Sequence, residues 1–314
     1  MRFARGFLVL LALALALEQA APVHPQADPQ AALFTFEHDG LTRTYRLYVP
    51  ANHDAAQPVP LLFALHGGGG NSRSMERLTE GGFNRLADAH DFLVVYPDGL
   101  NQAWNDGRLI TGQASDADDV GFLLALLDDL ATRYAIDPAR VFATGISNGG
   151  AMSFRLACDA ADRFAAVAPV AMNFPVELAR TCTPAEPVAL LMITGMDDPI
   201  VPYGGGPIRV LFSTRGEVMP AAESAAWWAV VDGCGAAESA QLADAAPDDG
   251  TSLVRTVYQD CAPGAVTLLT VTGGGHTWPG GWQYFGERLI GRTSREIDAS
   301  AVIWDFFAGL SRVP

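Results

Sequence analysis

A serine hydroxyl attacks a carbonyl only when a neighbouring base removes its proton, and the stretch around Ser147 is arranged to expose such a hydroxyl. Ser147 is the centre of Gly145-Ile146-Ser147-Asn148-Gly149. A β-type run, residues 141–143, precedes it, and a helix-prone run, residues 151–157, follows. In this setting G-x-S-x-G forces the serine into a strained backbone conformation at the end of a sheet. The flanking glycines leave space for the bend and for close helix–strand packing. The hydroxyl then stands above a helix N-terminus, which favours developing negative charge. The chemistry expected of it is acyl transfer.

The base for such a serine is usually a histidine. The chain has six histidines. His24 lies near the N-terminus, His38 and His53 fall in or near turns, and His90 follows a helical stretch. His66 opens a glycine run and reads as a brace for that loop. His276 differs, because Gly273-Gly274-Gly275-His276-Thr277-Trp278-Pro279-Gly280-Gly281 follows the apolar run 266–272. Glycines on both sides let the backbone carry an imidazole toward Ser147. A carboxylate between serine and histidine in chain order should fix the imidazole tautomer. Thr194-Gly195-Met196-Asp197-Asp198-Pro199 supplies two adjacent acids. Asp198 is preferred because Pro199 stiffens the backbone there, with Asp197 as its solvated neighbour. Asp118-Asp119 stands where a helix should begin and reads as a cap. Oxyanion donors are expected from the Asn148 backbone N–H and from Gly68 N–H in Leu65-His66-Gly67-Gly68-Gly69-Gly70.

The elements that must carry these residues are legible in outline. Residues 33–37 and 43–49 alternate apolar and polar around Asp39-Gly40, which predicts a hairpin. Continuous apolar runs at 61–65 and 92–96 predict strands buried on both faces, 164–169 and 188–194 are further strands, and 253–258 and 266–272 are later ones. Helical patterns cover 74–90, 119–134, 220–231 and 297–310. In 119–134, Val120, Leu123, Leu124, Leu127 and Leu130 share a face. Asp137-Pro138 should break the chain before the strand leading to Ser147. Strand alternating with helix predicts an α/β fold: a mostly parallel, doubly wound sheet with helices on both faces and no large lid. Sites in such sheets lie beyond the C-terminal strand ends, and every candidate catalytic residue sits just after a predicted strand.

At 314 residues with 49% hydrophobic and 18% charged residues, the chain can bury one large core. Arg2 and Arg5 precede an apolar run at 7–17 and small residues Ala20 and Ala21. Residues 1–21 therefore read as a signal peptide, 22–32 as a flexible lead-in and 33–314 as a single catalytic domain. Net charge is −15, and all 20 basic residues are arginine. Such acidity argues against nucleic acid and anionic membranes as partners. A secreted chain with four cysteines favours disulfides. Cys158–Cys182 and Cys234–Cys261, which close short separate loops, are preferred, and the spacing does not suit zinc.

Taken in order, LLFALHGGGGN, FLVVYPDG, DDVGFL, IDPARVFATGISNGGAMSFRLAC, ITGMDDPIVPYGG and GGGHTWPGG resemble the secreted polyhydroxybutyrate-depolymerase-like and feruloyl-esterase-like α/β-hydrolases, from about residue 40 to 310. The resemblance implies a serine esterase using Ser147, Asp198 and His276, with Asn148 and Gly68 at the oxyanion. Many polyester depolymerases of this kind carry Cys where Gly68 stands and Ala where Asn148 stands. That departure favours the feruloyl-esterase side. Trp104, Trp278, Tyr203 and Trp282 are candidate walls for an aromatic acyl group or a sugar. The expectation is a secreted carboxylic ester hydrolase that needs no cofactor and no metal. Its ester substrate is a plant polysaccharide or, alternatively, a polyester such as a polyhydroxyalkanoate. A peptidase on the same fold and a non-catalytic binding protein on a hydrolase scaffold are the rival readings.

Overall fold

The computed structural model describes residues 31–108, 117–261 and 264–312. The expected signal peptide and most of the lead-in lie outside them. The strands are β1 (Ala32–His38), β2 (Leu41–Tyr48), β3 (Val59–Leu65), β4 (Leu93–Pro97), β5 (Ile136–Ile146), β6 (Ala166–Val170), β7 (Ala189–Gly195), β8 (Gly206–Val210), β9 (Ser213–Val218), β10 (Ala237–Gln241), β11 (Ser252–Tyr258) and β12 (Val266–Thr272). The helices are α1 (Ser72–Leu78), α2 (Gly82–His90), α3 (Asp119–Arg133), α4 (Asn148–Asp159), α5 (Val176–Ala179), α6 (Ala221–Val231), α7 (Glu287–Ile290) and α8 (Ala299–Ala308).

The chain folds as an α/β-hydrolase around a ten-stranded sheet of order β1-β2-β4-β3-β5-β6-β7-β12-β11-β10. From β4 through β12 in that order, the strands run parallel. Antiparallel pairs close both edges. The apolar strands explain themselves by where their alternate side chains go. Leu61, Phe63 and Leu65 of β3 enter one core with α3, α4 and α6. Leu62 and Ala64 enter a second core with α1, α2 and α8. A strand covered by helices on both faces needs apolar residues at every position.

Several expectations needed adjustment. Ala31 is buried, and its N–H donates to Glu76 Oε1 at 2.6 Å, so the ordered domain starts within the expected lead-in. The helical stretch 74–90 is two helices, because Glu80 and Gly81 adopt φ of 51° and 69°. Asp137-Pro138 does not end the chain's extended run. Pro138 lies inside β5, where the pairing with β3 is interrupted between Val59↔Ile136 and Leu61↔Val141. A bulge of this kind tolerates a residue with no N–H. On α3 the buried stripe is Phe122, Leu123, Leu126, Leu127 and Leu130, while Val120 and Leu124 are only half-buried. The β8–β9 hairpin, a small sheet of its own, was not foreseen. Its strands mix glycine, arginine and acid, and they lack the alternation that signals a strand.

Disulfides join Cys158 of α4 to Cys182, and Cys234 to Cys261. The first ties the helix that follows Ser147 to the segment after α5. Each loop closure contributes about 2–4 kcal/mol by restricting the unfolded chain. Among the described residues, no helix is long and apolar enough to cross a membrane.

One buried acid works against the fold. Asp232, at the end of α6, is 2% exposed, and among the described residues neither carboxylate oxygen has a hydrogen-bond partner. Burial, offset in part by the nearby Val188 backbone, pushes its pKa from 3.8 up to about 7. The folded state therefore holds a proton over a range where the unfolded chain does not, and stability falls as pH rises through that window. Asp232→Asn should raise the melting temperature at pH 8, with the gain gone near pH 4. An equal gain at both pH values would refute this account.

Candidate active site

β5 ends at Ile146 and α4 begins at Asn148, so Ser147 alone makes the turn between them. Its φ of 56° and ψ of −117° are costly for any residue with a β-carbon. Neighbours hold it there. The Ser147 N–H donates to Val170 O on β6, and its carbonyl accepts from Ala151 N–H, each at 2.9 Å. The helix approaches β3 closely, since a β-carbon at Gly149 would press into the carbonyl oxygens of Leu65 and His66.

Asp198 follows β7 and His276 follows β12, and these strands pair in parallel. The two loops touch: Asp197 N–H donates to Gly274 O at 2.9 Å. His276 Nδ1–H donates to Asp198 Oδ2 at 2.7 Å, with side-chain exposures of 5% and 2%. The other carboxylate oxygen accepts from Ile200 N–H at 2.7 Å and Val201 N–H at 2.8 Å. Asp197, by contrast, is exposed. His276 is also held through its backbone, N–H to Ile290 O at 2.6 Å and carbonyl from Tyr284 Oη at 2.8 Å. With Nδ1 carrying the proton toward Asp198, Nε2 of the neutral ring is left as an acceptor. Among the described residues no hydrogen bond joins the Ser147 hydroxyl to His276. Such bonds often form only when substrate closes the site.

The glycine loop after β3 lies over this turn. A β-carbon at Gly67 would sit 3.6 Å from Ser147 Cβ, and one at Gly68 would sit 3.8 Å from Asn148 Cβ. Among the described residues, neither Gly68 N–H nor Asn148 N–H has an acceptor in the protein. Two free donors beside a strained serine suit a developing oxyanion. His66 braces the loop. Its Nδ1–H donates to Gly67 O at 2.8 Å, while Nε2 accepts Gly99 N–H at 2.9 Å. That pairing requires the neutral ring, and burial holds its pKa below the usual histidine range.

The four candidate aromatic walls divide. Trp278 is fully buried, its ring edge-on to Phe83 and its Nε1–H toward Ser300 Oγ at 3.2 Å. It belongs to the core and offers no face to a substrate. Trp104 is 4% exposed and donates from Nε1 to His66 O at 2.9 Å, so it supports the glycine loop instead of lining a cleft. Tyr203 is half-buried and bonds Thr270 Oγ1 through its hydroxyl at 2.9 Å. Trp282 is 37% exposed and carries the Arg77 guanidinium 3.8 Å above its ring.

Sequence reasoning missed the polar scaffold beneath residues 104–108. Asp118 does cap α3, accepting Gly121 N–H at 2.8 Å. Asp119 does not: it is fully buried, paired with Arg43 at 2.7 Å, and its second oxygen accepts Asn105 N–H at 2.7 Å. An acid at a helix start looks alike in both roles, and its partner lies far away in the chain.

The profile of the prolyl oligopeptidase family matches residues 89–182, which include the Ser147 turn. "Putative esterase NocK" of Nocardia uniformis subsp. tsuyamanensis is 33% identical over 307 residues, covering 94% of this chain and 88% of that protein. "Feruloyl esterase C" of Emericella nidulans is 32% identical over 210 residues, covering 63% of this chain and 72% of that protein. The chain belongs to this esterase family of α/β-hydrolases. It is an ester-hydrolysing enzyme. The structure of an acetyl xylan esterase from Aspergillus awamori has the same fold, with a TM-score of 0.58, 16% identity, and coverage of 88% of this chain and 99% of that one.

In this esterase, Arg43→Met should leave Asp119 buried without a countercharge. Stability should fall by about 3–5 kcal/mol. An unchanged urea midpoint would show that the pair does not hold the 104–108 segment in place.

Proposed function

We propose that this esterase hydrolyses carboxylic esters through Ser147, His276 and Asp198, outside the cytoplasm. The observation that carries the reading is the buried His276–Asp198 hydrogen bond at 2.7 Å, on the same rim as a strained serine flanked by unpaired N–H groups. In this reading Ser147 Oγ forms a bond to the ester carbonyl carbon as its proton passes to His276 Nε2. The Asn148 and Gly68 N–H groups stabilise the tetrahedral oxyanion. The carbon–alkoxide bond then breaks, and Nε2 returns the proton to the leaving alcohol. Water repeats the sequence on the acyl-enzyme, releasing the acid and restoring Ser147. Asp198 orients the imidazole and stabilises its cationic form.

For the acyl group, an aromatic ester of plant polysaccharide is the first choice. Similarity to a feruloyl esterase supports it, as do the exposed Trp282 and the half-buried Tyr203. A polyester is the second reading. Met196 after β7, Leu211 and Phe212 in the β8–β9 turn, and Phe285 and Leu289 after β12 are all exposed, and such apolar side chains suit an apolar polymer. Export is supported by the charged and apolar pattern of residues 1–21 and by the two disulfides.

Ser147→Ala should fold normally and lower kcat on a chromogenic short-chain ester at least about 10⁴-fold. Fluorophosphonate should label the parent enzyme and not the variant. Full turnover by the variant would overturn the assignment, and a parent that is neither labelled nor active would favour a binding protein. Asp198→Asn should lose about 10⁴-fold in kcat through the wrong tautomer, whereas Asp197→Asn should change kcat little. The reverse ranking would move the third role to Asp197. Turnover of methyl ferulate, acetylated xylan and polyhydroxybutyrate film separates the substrate readings, the first being expected to be fastest.

A further inference from the structure

The Asn148 side chain is engaged in a way that its backbone role does not require. Its Oδ1 accepts Trp104 N–H at 2.8 Å, and its Nδ2 donates to Trp104 O at 3.1 Å and to Asp106 Oδ2 at 2.5 Å. Asp106 is 2% exposed. Its carboxylate takes Arg108 Nε at 3.0 and 2.9 Å, Nη2 at 2.5 Å, and the Arg108 backbone N–H at 3.1 Å. The Arg108 side chain, 4% exposed, also donates from Nη1 to Arg215 O on β9 at 2.9 Å. A continuous chain of bonds thus runs from the residue after the nucleophile, through a buried ion pair, to the hairpin.

A buried ion pair adds little net stability over an apolar substitute, so its placement calls for another reason. A charged acceptor grips an amide more strongly than a neutral one does. An oxyanion donor loses much of its value when displaced by an ångström. Arg108 cancels a carboxylate charge that would otherwise oppose an oxyanion held at the Asn148 N–H.

We propose that Asp106, neutralised by Arg108, is a positioning residue that locks the Asn148 side chain and thereby aims the Asn148 N–H at the oxyanion. This rests on the serine-esterase reading above. Asp106 touches no substrate atom and acts through Asn148. It therefore favours the transition state over the bound ester.

The test is a cycle of Asp106→Asn, Asn148→Ala and the double variant on a chromogenic ester, with phenylboronic acid as the tetrahedral mimic. Asp106→Asn should lower kcat about 10- to 100-fold with KM within about twofold. Affinity for the boronic acid should fall by a similar factor. In the Asn148→Ala background, adding Asp106→Asn should have no further effect, since coupled residues are not additive. Asp106→Asn/Arg108→Gln removes both charges together and should show the same kcat loss if the single variant does not fold. Unchanged kcat, a loss confined to KM, or effects that multiply with Asn148→Ala would each overturn the proposal. Ser147→Ala measured alongside keeps the two failures apart. An inactive Ser147→Ala beside a fully active Asp106→Asn sinks only this inference, whereas an active Ser147→Ala sinks the reading beneath it.

Discussion

Parallel pairing of β3, β5, β6, β7 and β12 is the constraint from which the site follows. Parallel neighbours end on the same edge, so the loops after them must gather there whatever their distance in the chain. β3 and β5 lie side by side, but the chain leaves them for opposite flanks, β4 on one side and β6 on the other. Such a switch point is where open α/β sheets place their ligand sites. The glycine loop and the Ser147 turn meet there. The loops after β7 and β12 bring Asp198 and His276 to the same edge.

A rim assembled in this way concentrates unfavourable local terms. Ser147 holds a disfavoured backbone conformation. Among the described residues, the Gly68 and Asn148 N–H groups go without an acceptor. Asp106 with Arg108, and Asp119 with Arg43, place ionised groups out of water. The two apolar cores on the faces of the sheet, with the disulfide on α4, supply the rigidity that keeps those features in place. The ionised pairs share one structural target. Asp119 takes the Asn105 N–H and Asp106 takes the Asn148 amide, so the first anchors the 104–108 segment to α3 and the second anchors it to α4. Arg155 of α4 reinforces it by donating to Asn105 O. The 104–108 segment is thus held by buried charge as well as by the apolar packing of Trp104.

Much of this was legible in the chain itself. Continuous apolar runs marked the central strands, because burial on two faces leaves no polar position. The Ser147 turn was legible because only a narrow set of residues tolerates its geometry. Asp39-Gly40 was legible as a hairpin turn because both residues take positive φ, 49° and 72°. Less legible was anything fixed by a partner remote in sequence. Trp104 in a long loop and Trp278 two residues after His276 looked like a cleft lining, and the fold turned Trp278 into core and Trp104 into a loop support. Asp119 looked like a cap until Arg43 reached it from β2. The β8–β9 hairpin carries little hydrophobic pattern, since contacts such as that of Arg108 with the Arg215 carbonyl help to hold it in place.

The sequence by itself determined the class of fold, the strand that presents Ser147 and the loops that could carry its partners, because periodicity and turn chemistry act over a few residues. Only the tertiary structure decided which acid of Asp197 and Asp198 meets His276, which aromatic rings stay open, and how Asn148 is tied to Asp106. Those outcomes depend on distances between segments far apart along the chain, and no local preference encodes such distances.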